Sequence, residues 1–305
     1  MSSRSPEGRP ASGEPTEVHD ALLRSWPLPE PQASKRSRGD VLVIGGARSA
    51  PGAAQLAGLS ALRVGAGRLT LAVASSVAGM VAVTVPESGV RPLTETSAGH
   101  VQGRSLRGLA SDVASADALL VGPGLDDLRE ATRMLHVVSD LLRARDGEQP
   151  VVVLDAFALG ALGTHGARAA RRLRLENLVL TPNEREAAVL LGHDAADVVD
   201  DSREVAHRYG AVVSCKGIVA EPGGRVFRIG QAGPGLGTSG SGDVLAGAIA
   251  GLAARSGDAA QASVWGTVLH ARAGESLAAD VAPLGFLASE ISERLPRELA
   301  RASQA

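Results

Sequence analysis

Six short apolar runs recur along this chain, each continuous rather than alternating: Val41-Leu42-Val43-Ile44, Leu69-Thr70-Leu71-Ala72-Val73, Ala118-Leu119-Leu120-Val121, Val151-Val152-Val153-Leu154, Leu178-Val179-Leu180 and Val212-Val213-Ser214. A strand with one wet face alternates apolar and polar residues. A run without that alternation has both faces covered, which is the environment of a parallel sheet between two helix layers. Segments 53–64, 128–142, 184–191 and 202–209 between the runs carry helical periodicity, so strand and helix alternate as in an α/β domain. Near residue 220 the order changes. Ile218-Val219-Ala220, the turn Glu221-Pro222-Gly223-Gly224 and Val226-Phe227-Arg228-Ile229 predict an antiparallel hairpin at a sheet edge. Three helices, over 243–255, 259–279 and 286–299, close the chain.

At 305 residues and 44% hydrophobic, the chain can bury one large core, and residues 39–305 read as one domain. Aromatic residues make up only 2%, so packing relies on small and branched side chains and on close backbone approach. A net charge of −2 and the lack of a basic stripe exclude a nucleic-acid partner. Cys215 is the only cysteine, which excludes an internal disulfide or multi-cysteine metal site and fits a reducing cytoplasm. Residues 1–38, rich in Ser, Pro, Glu and Arg, show neither an export signal nor a membrane-length run. They predict a disordered extension, with Lys35-Arg36-Ser37-Arg38 part of a solvated tail.

In open α/β sheets, ligands bind beyond the carboxyl ends of the strands. Gly45-Gly46, Gly122-Pro123-Gly124, Asp155-Ala156 and Thr181-Pro182-Asn183 each follow an apolar run directly, so all are expected at that edge. A further loop, Gly237-Thr238-Ser239-Gly240-Ser241-Gly242-Asp243, runs into an apolar helix. Glycines there let backbone amides approach an anion, the helix N-terminus adds its positive end, and Asp243 lies in the first turn. Such a cradle beside a carboxylate points to phosphoryl chemistry with Asp243 as general base; a flexible loop with an acidic first turn is the plainer alternative. Gly235 to Gly240 formally match G-x-G-x-x-G, but no strand feeds the first glycine, and no Walker-type Gly-Lys-Ser/Thr is present.

Other residues carry two readings each. Asn183 and Glu186 have capping-box spacing, and could alternatively hold Mg²⁺ through water beside phosphate oxygens. Lys216, before Gly217, could meet a nucleotide phosphate or be a snorkelling surface lysine. Asp155 could orient a substrate or metal-bound water, or cap the next helix. Cys215 reads as a small buried hydrophobe, with some reactivity left open by the neighbouring lysine, and His270 as a hydrogen-bonded core histidine. The seven histidines show no zinc-ligand spacing. Gly247 and Gly251, four apart, predict close packing of their helix on the sheet.

Taken in order, Gly45-Gly46, Gly52-Ala53-Ala54-Gln55-Leu56-Ala57, Ala61-Leu62-Arg63-Val64-Gly65-Ala66-Gly67, Pro86-Glu87-Ser88, Gly122-Pro123-Gly124-Leu125, Asp155-Ala156, Lys216-Gly217 and Gly240-Ser241-Gly242-Asp243 resemble the NAD(P)H-hydrate dehydratases. The likeness runs over about residues 39 to 300, and Gly-Ala-x-x-Leu-Ala with Arg-x-Gly-Ala-Gly is its most specific part. The resemblance implies a ribokinase-like fold, a three-layer α/β/α sandwich. It implies repair of the S-epimer of hydrated NADH and NADPH at the expense of ADP, or ATP, with Mg²⁺; the ADP reaction yields AMP and phosphate. Carried over by position, Ala53, Gly124, Asn183 and Asp243 would contact the hydrated dinucleotide. Lys216, Gly217, Ile218, Val219, Ala220, Gly240 and Gly242 would line the adenine-nucleotide site. A homo-oligomer, a tetramer, is also implied.

The chain departs from that pattern at two places. The family usually has His after Thr-Pro, where this chain has Asn183, and Asn183-Glu184-Arg185-Glu186 looks like the N-x-x-E metal motif of ribokinase-type kinases. Ser239 and Ser241 stand where relatives more often carry Gly and Thr. Many relatives carry a fused epimerase domain, for which the short extension is expected to leave no room. The leading expectation is therefore a dehydratase. A ribokinase-like kinase for a small hydroxylated substrate comes second, and a non-catalytic nucleotide-binding regulator third.

Overall fold

Strand-forming runs and helices alternate as their patterning requires in a computed structural model that describes residues 13–30, 34–164, 166, 170, 173, 175–230 and 233–304. The strands are β1 (Thr16–Glu17), β2 (Asp40–Ile44), β3 (Arg68–Ala74), β4 (Ser88–Leu93), β5 (Ala118–Val121), β6 (Val151–Leu154), β7 (Leu178–Leu180), β8 (Val212–Cys215), β9 (Ile218–Ala220) and β10 (Val226–Arg228). They form one sheet in the order β1-β10-β9-β8-β7-β6-β5-β2-β3-β4. Every pair from β8 to β4 is parallel; β9 runs antiparallel to both β8 and β10. The expected hairpin at Glu221-Gly224 is present, and a second one joins β8 to β9.

The central strands are buried throughout, Val151–Leu154 and Ala118–Val121 at no more than 1% exposure, which accounts for their unbroken apolar runs. The strand over Ser88–Leu93 was not legible because it is an edge: its pattern is half exposed and it contains Pro92, which an edge tolerates and an interior position does not.

Helices lie on both faces. One layer holds α2 (Pro51–Arg63), α9 (Ser241–Ser256), α10 (Ala259–Asp280) and α11 (Ala288–Gln304). The other runs through α4 (Ala110–Ser115), α5 (Leu128–Arg143), α6 (Phe157–Thr164), α7 (Glu184–Leu191) and α8 (Val198–Tyr209). Two short helices, α1 (Asp20–Ser25) and α3 (Ala78–Thr84), complete the elements used below. None of the described helices is long and apolar enough to cross a membrane.

The expectation of a disordered extension over 1–38 is corrected for its described part. β1 pairs in parallel with β10, Leu23 of α1 is buried, and the Trp26 ring lies 5.8 Å from that of Phe227. The Trp26 carbonyl accepts from Trp265 Nε1 at 2.9 Å. Averaged composition hid four apolar anchors, Leu22, Leu23, Trp26 and Leu28, spaced to dock one side of the segment on the core. Residues 1–12 lie outside the described part.

A second correction concerns Gly247 and Gly251. They admit α2, not the sheet: a Cβ on Gly247 would overlap the carbonyl oxygen of Ala57, and one on Gly251 that of Ala61. Both contacts join residues 190 apart in sequence, so α2 and α9 run parallel in one register, with both N-termini at the same end. Extending that register back one turn sets Ala53 opposite Asp243. Small residues facing small residues bring the two backbones together, which is how a core so poor in aromatics packs.

Candidate active site

The motifs after β2, β5, β6, β7 and β8 come together at the carboxyl edge because these strands are consecutive neighbours in the sheet. Gly46 N–H donates to the Pro123 carbonyl at 2.8 Å and Ala47 N–H to that of Gly124 at 2.9 Å, tying the first glycine motif to the second. A Cβ on Gly124 would stand 3.2 Å from Ala53 Cβ, so these two sequence-selected residues are adjacent.

α9 supplies the third piece. Its N-cap, Gly240, has φ +89° and no capping side chain, a conformation that glycine adopts without strain. Ser241 N donates to the Thr238 carbonyl at 3.2 Å, so the amides that follow it, at the positive end of the helix, are the ones an anion would meet. A Cβ on Gly240 would stand 2.6 Å from Leu56 Cδ1 and 3.9 Å from Asp243 Oδ2, so the loop is pressed against α2 with the carboxylate beside it. Behind the loop, buried Ser241 is held by His270, whose Nε2 lies 2.9 Å from Ser241 Oγ and 3.0 Å from its carbonyl. Burial lowers His270 to about 4, so its imidazole is neutral, as expected for a core histidine. The Ser241 hydroxyl therefore has a structural partner. Gly235, first glycine of the formal dinucleotide match, packs against the Phe286 ring within the 3₁₀ turn Pro234–Gly237.

Three carboxyl groups meet here. Asp243 is half-buried, and desolvation raises it to about 6. Asp155, at the end of β6, is raised to about 7 by burial, against the pull of the Thr181 hydroxyl that donates to its Oδ1 at 2.8 Å; the negative charges of Asp243 and Glu186 raise it further. Burial also raises Glu186. Asp155 and Asp243, poised near neutrality, can accept and return protons at working pH.

Asp155 also yields a stability prediction. Its folded value lies above the unfolded one of about 3.9, so the folded chain holds this proton more tightly. The resulting stability is full below pH 4 and is lost as pH rises through 7. Asp155→Asn should raise the melting temperature at pH 8, by the equivalent of up to about 4 kcal/mol, and change it little at pH 4. Melts at the two pH values check this.

Asn183 and Glu186 form the complete capping box of α7. Asn183 Oδ1 accepts from Arg185 N at 2.9 Å and Glu186 N at 3.0 Å, and Glu186 Oε2 accepts from Asn183 N at 3.0 Å. Both lone pairs of Asn183 Oδ1 are thereby taken, leaving Glu186 Oε1 as the free oxygen of the pair. Among the described residues no group of three or more His, Cys, Asp or Glu is arranged to hold a metal ion. Glu186 Oε1 is a single carboxylate oxygen not used by the capping box, the kind of ligand a hard cation takes when it keeps most of its water shell.

Lys216 and Gly217 are the two-residue turn between β8 and β9, with φ +45° and +76°, as a tight hairpin with matching twist requires. Lys216 Nζ pairs with Glu184 Oε1 at 2.8 Å, both side chains more than half exposed. A pair so exposed is worth at most about 1 kcal/mol and exchanges readily for another anion. Ile218, Val219 and Ala220 are buried in β9 and bonded to strands on both sides, so their side chains belong to the core. The Gly217 carbonyl accepts from Ile229 N at 2.7 Å, tying the turn to the segment that leads to the glycine loop. Cys215 is buried and its thiol is pushed up to about 12, chiefly by desolvation, which makes it inert.

One polar cluster had no sequence signal. Asp126, two residues past Gly124, accepts from Ser49 Oγ at 2.6 Å and bonds His100 Nδ1 at 2.8 Å. The Asp126 hydrogen bond raises His100 above its ordinary range, favouring imidazolium. Beside it, Arg48 bonds Glu95 at 2.9 Å. Ser49, His100 and Asp126 lie in three separate segments and match no spacing rule, so only the fold joins them.

The architecture is that of ribokinase-like proteins. It superposes on a ribokinase-like superfamily protein of Enterococcus faecalis with a TM-score of 0.76 at 23% identity, covering 95% of this chain and 97% of that one. On the ADP/ATP-dependent NAD(P)H-hydrate dehydratase of Bacillus subtilis, co-crystallised with ATP and Mg²⁺, the TM-score is 0.75 at 24% identity, covering 96% of this chain and all of that one. The family model described as NAD(P)H-hydrate dehydratase matches residues 41–297, and this chain belongs to that family. It is 41% identical to the ADP-dependent (S)-NAD(P)H-hydrate dehydratase of Xanthomonas campestris, over 93% of this chain and 96% of that protein. It is 37% identical to the bifunctional NAD(P)H-hydrate repair enzyme of Moorella thermoacetica, over 90% of this chain but only 53% of that longer protein.

Proposed function

We propose that this chain is a hydro-lyase that converts the S-epimer of hydrated NADH and NADPH back to the reduced dinucleotide, using ADP and releasing AMP and phosphate. The observation that supports the reading is the register of α2 and α9: Gly247 meets Ala57 and Gly251 meets Ala61, so Asp243, one turn earlier, falls level with Ala53, whose Cβ neighbours Gly124. In this reading Ala53 and Gly124 form the floor under the hydrated nicotinamide, and Asn183 borders it. The amides of Gly240 and Gly242 receive the transferring phosphate, and the turn at Lys216 and Gly217 faces the nucleotide. Ile218, Val219 and Ala220 back that turn from the core.

Asp243, neutralised only near pH 6, takes the proton of the ring hydroxyl as its oxygen attacks the terminal phosphorus of ADP and AMP departs. The ring nitrogen lone pair then expels phosphate, and loss of a proton from the adjacent carbon restores the ring double bond. Glu186, through its free oxygen and a bridging water, would hold Mg²⁺, while Asn183, expected as a second holder, instead fixes the Glu186 carboxylate through the capping box; the ion would neutralise phosphate charge when bound. The single cysteine and the pattern of charge fit a cytoplasmic enzyme without nucleic-acid or membrane partners, and the family likeness fits a homotetramer, which light scattering on the purified chain would test.

The Asn183-x-x-Glu186 pattern favours a second reading, a ribokinase-like kinase. One assay separates the two: protein, Mg²⁺, ADP or ATP, and hydrated NADH, with recovery of the reduced-nicotinamide absorbance followed in time. Recovery with one phosphate per dinucleotide, and one AMP when ADP is the donor, is expected. A stable phosphorylated product without recovery would overturn the dehydratase reading.

A further inference from the structure

At the opposite end of α9 from Asp243, a cavity of about 530 Å³ opens between the docked N-terminal segment, the end of α2 and α11. From Asp243 to Arg255 the helix rises about 18 Å, so this cavity is separate from the site above. Its volume is within the range of small-molecule pockets. Four arginines, Arg24, Arg38, Arg63 and Arg255, line it from four different segments, and Glu30 is the only acidic residue among its described lining. The rest of the wall is largely apolar, including Leu23, Trp265 and Leu299.

Three of them, Arg38, Arg63 and Arg255, lack a paired carboxylate among the described residues. Arg255 spends its donors on carbonyls, Nη1 to Val64 at 2.7 Å and Nη2 to Pro29 at 3.3 Å, which fix the guanidinium without neutralising it. Gly65 makes room for it: a Cβ there would stand 3.3 Å from Arg255 Nη1. Arg38 Nε is buried with no hydrogen-bond partner. No ion pair to a described carboxylate forms at Arg38, Arg63 or Arg255. Burial, and after it the positive charge of Arg38, holds Arg255 below the ordinary arginine range, so the two guanidinium groups sit close enough to repel. Unpaired neighbouring guanidiniums with an orphaned buried donor cost stability unless a doubly charged acceptor joins them, and planar N–H forks suit phosphate oxygens.

We propose that this cavity binds a small phosphate monoester, the phosphate between Arg38, Arg63 and Arg255 and the organic part against Leu23, Trp265 and Leu299. The chain provides its own reporter. Of its two tryptophans, Trp265 lines this cavity and donates its Nε1 proton to the backbone carbonyl of Trp26, and neither belongs to the Asp243 site, so tryptophan fluorescence reads this end of the molecule. The full chain is titrated with inorganic phosphate, glycerol phosphate and succinate at constant ionic strength, with Arg38→Gln, Arg63→Gln and Asp243→Asn alongside and folding followed by circular dichroism. A saturable change is expected with both phosphates, tighter for the ester and weaker for succinate. It should persist in Asp243→Asn and weaken about tenfold in each arginine variant, the scale of one charge-assisted hydrogen bond. Arg63 is exposed, so its variant keeps the test decisive if Arg38→Gln perturbs folding. Absence of a saturable change, affinity unchanged from the wild type in both arginine variants, or succinate binding as well as phosphate would overturn the proposal.

Discussion

Asp243→Asn is expected to lower the turnover of hydrated NADH by about 10² to 10⁴-fold, the usual contribution of a positioned general base, while the chain keeps its fold. The side chain is isosteric and lies at the first turn of α9, where Gly240 caps and His270 fixes Ser241, and none of these contacts uses the carboxylate. Stability should rise slightly above pH 6, because the substitution removes a charge that burial disfavours. A merely structural role would predict the reverse. The wild-type profile adds an independent check: with the base raised to about 6, kcat/KM should fall tenfold per pH unit below that value and level off above it. A flat profile from pH 4.5 to 7 would remove Asp243 from the chemistry, as would a variant of undiminished activity.

The parallel sheet was legible because a strand covered on both faces cannot tolerate polar alternation, and six such runs each became a strand within a residue or two. What escaped were elements whose burial is partial. Ser88–Leu93 and Thr16–Glu17 are edge strands, and α1 and α3 are helices of six and seven residues, too short to show a period. At the site, the glycine motifs and Asp243 were legible because close approach and helix starts leave local marks. The Ser49, His100 and Asp126 cluster was not, since its members meet only after β2 and β5 pair. Asn183 and Glu186 satisfied the capping reading in full, and Lys216 became a hairpin turn, because each local demand for backbone geometry is met first. A ligand role there must be built on what those demands leave over: the second oxygen of Glu186 and a surface lysine held only by an exposed pair.

Gly247→Leu should destabilise the fold by about 3 kcal/mol or more, or prevent folding, and even Gly247→Ala should be harmful although helix propensity alone favours alanine by about 1 kcal/mol. Two effects compete, and geometry decides between them. The added Cβ would overlap the Ala57 carbonyl, a backbone atom in the middle of α2 that cannot rotate aside as a side chain would. Gly79, in α3, is the control: nothing lies within 4 Å of its Cβ position, so Gly79→Ala should stabilise by about 0.5–1 kcal/mol. Opposite signs for the same chemical change, read by urea denaturation, would show that contact between α2 and α9 is what selects glycine. Function should follow the same coordinate. Pushing the helices apart at Gly247 separates Ala53 from Asp243 one turn away, so Gly247→Ala that still folds should lose kcat more than its stability loss explains. If it melts like the wild type and turns over normally, the two helices are not held in register by this contact, and the placement of Asp243 beside Ala53 needs another cause.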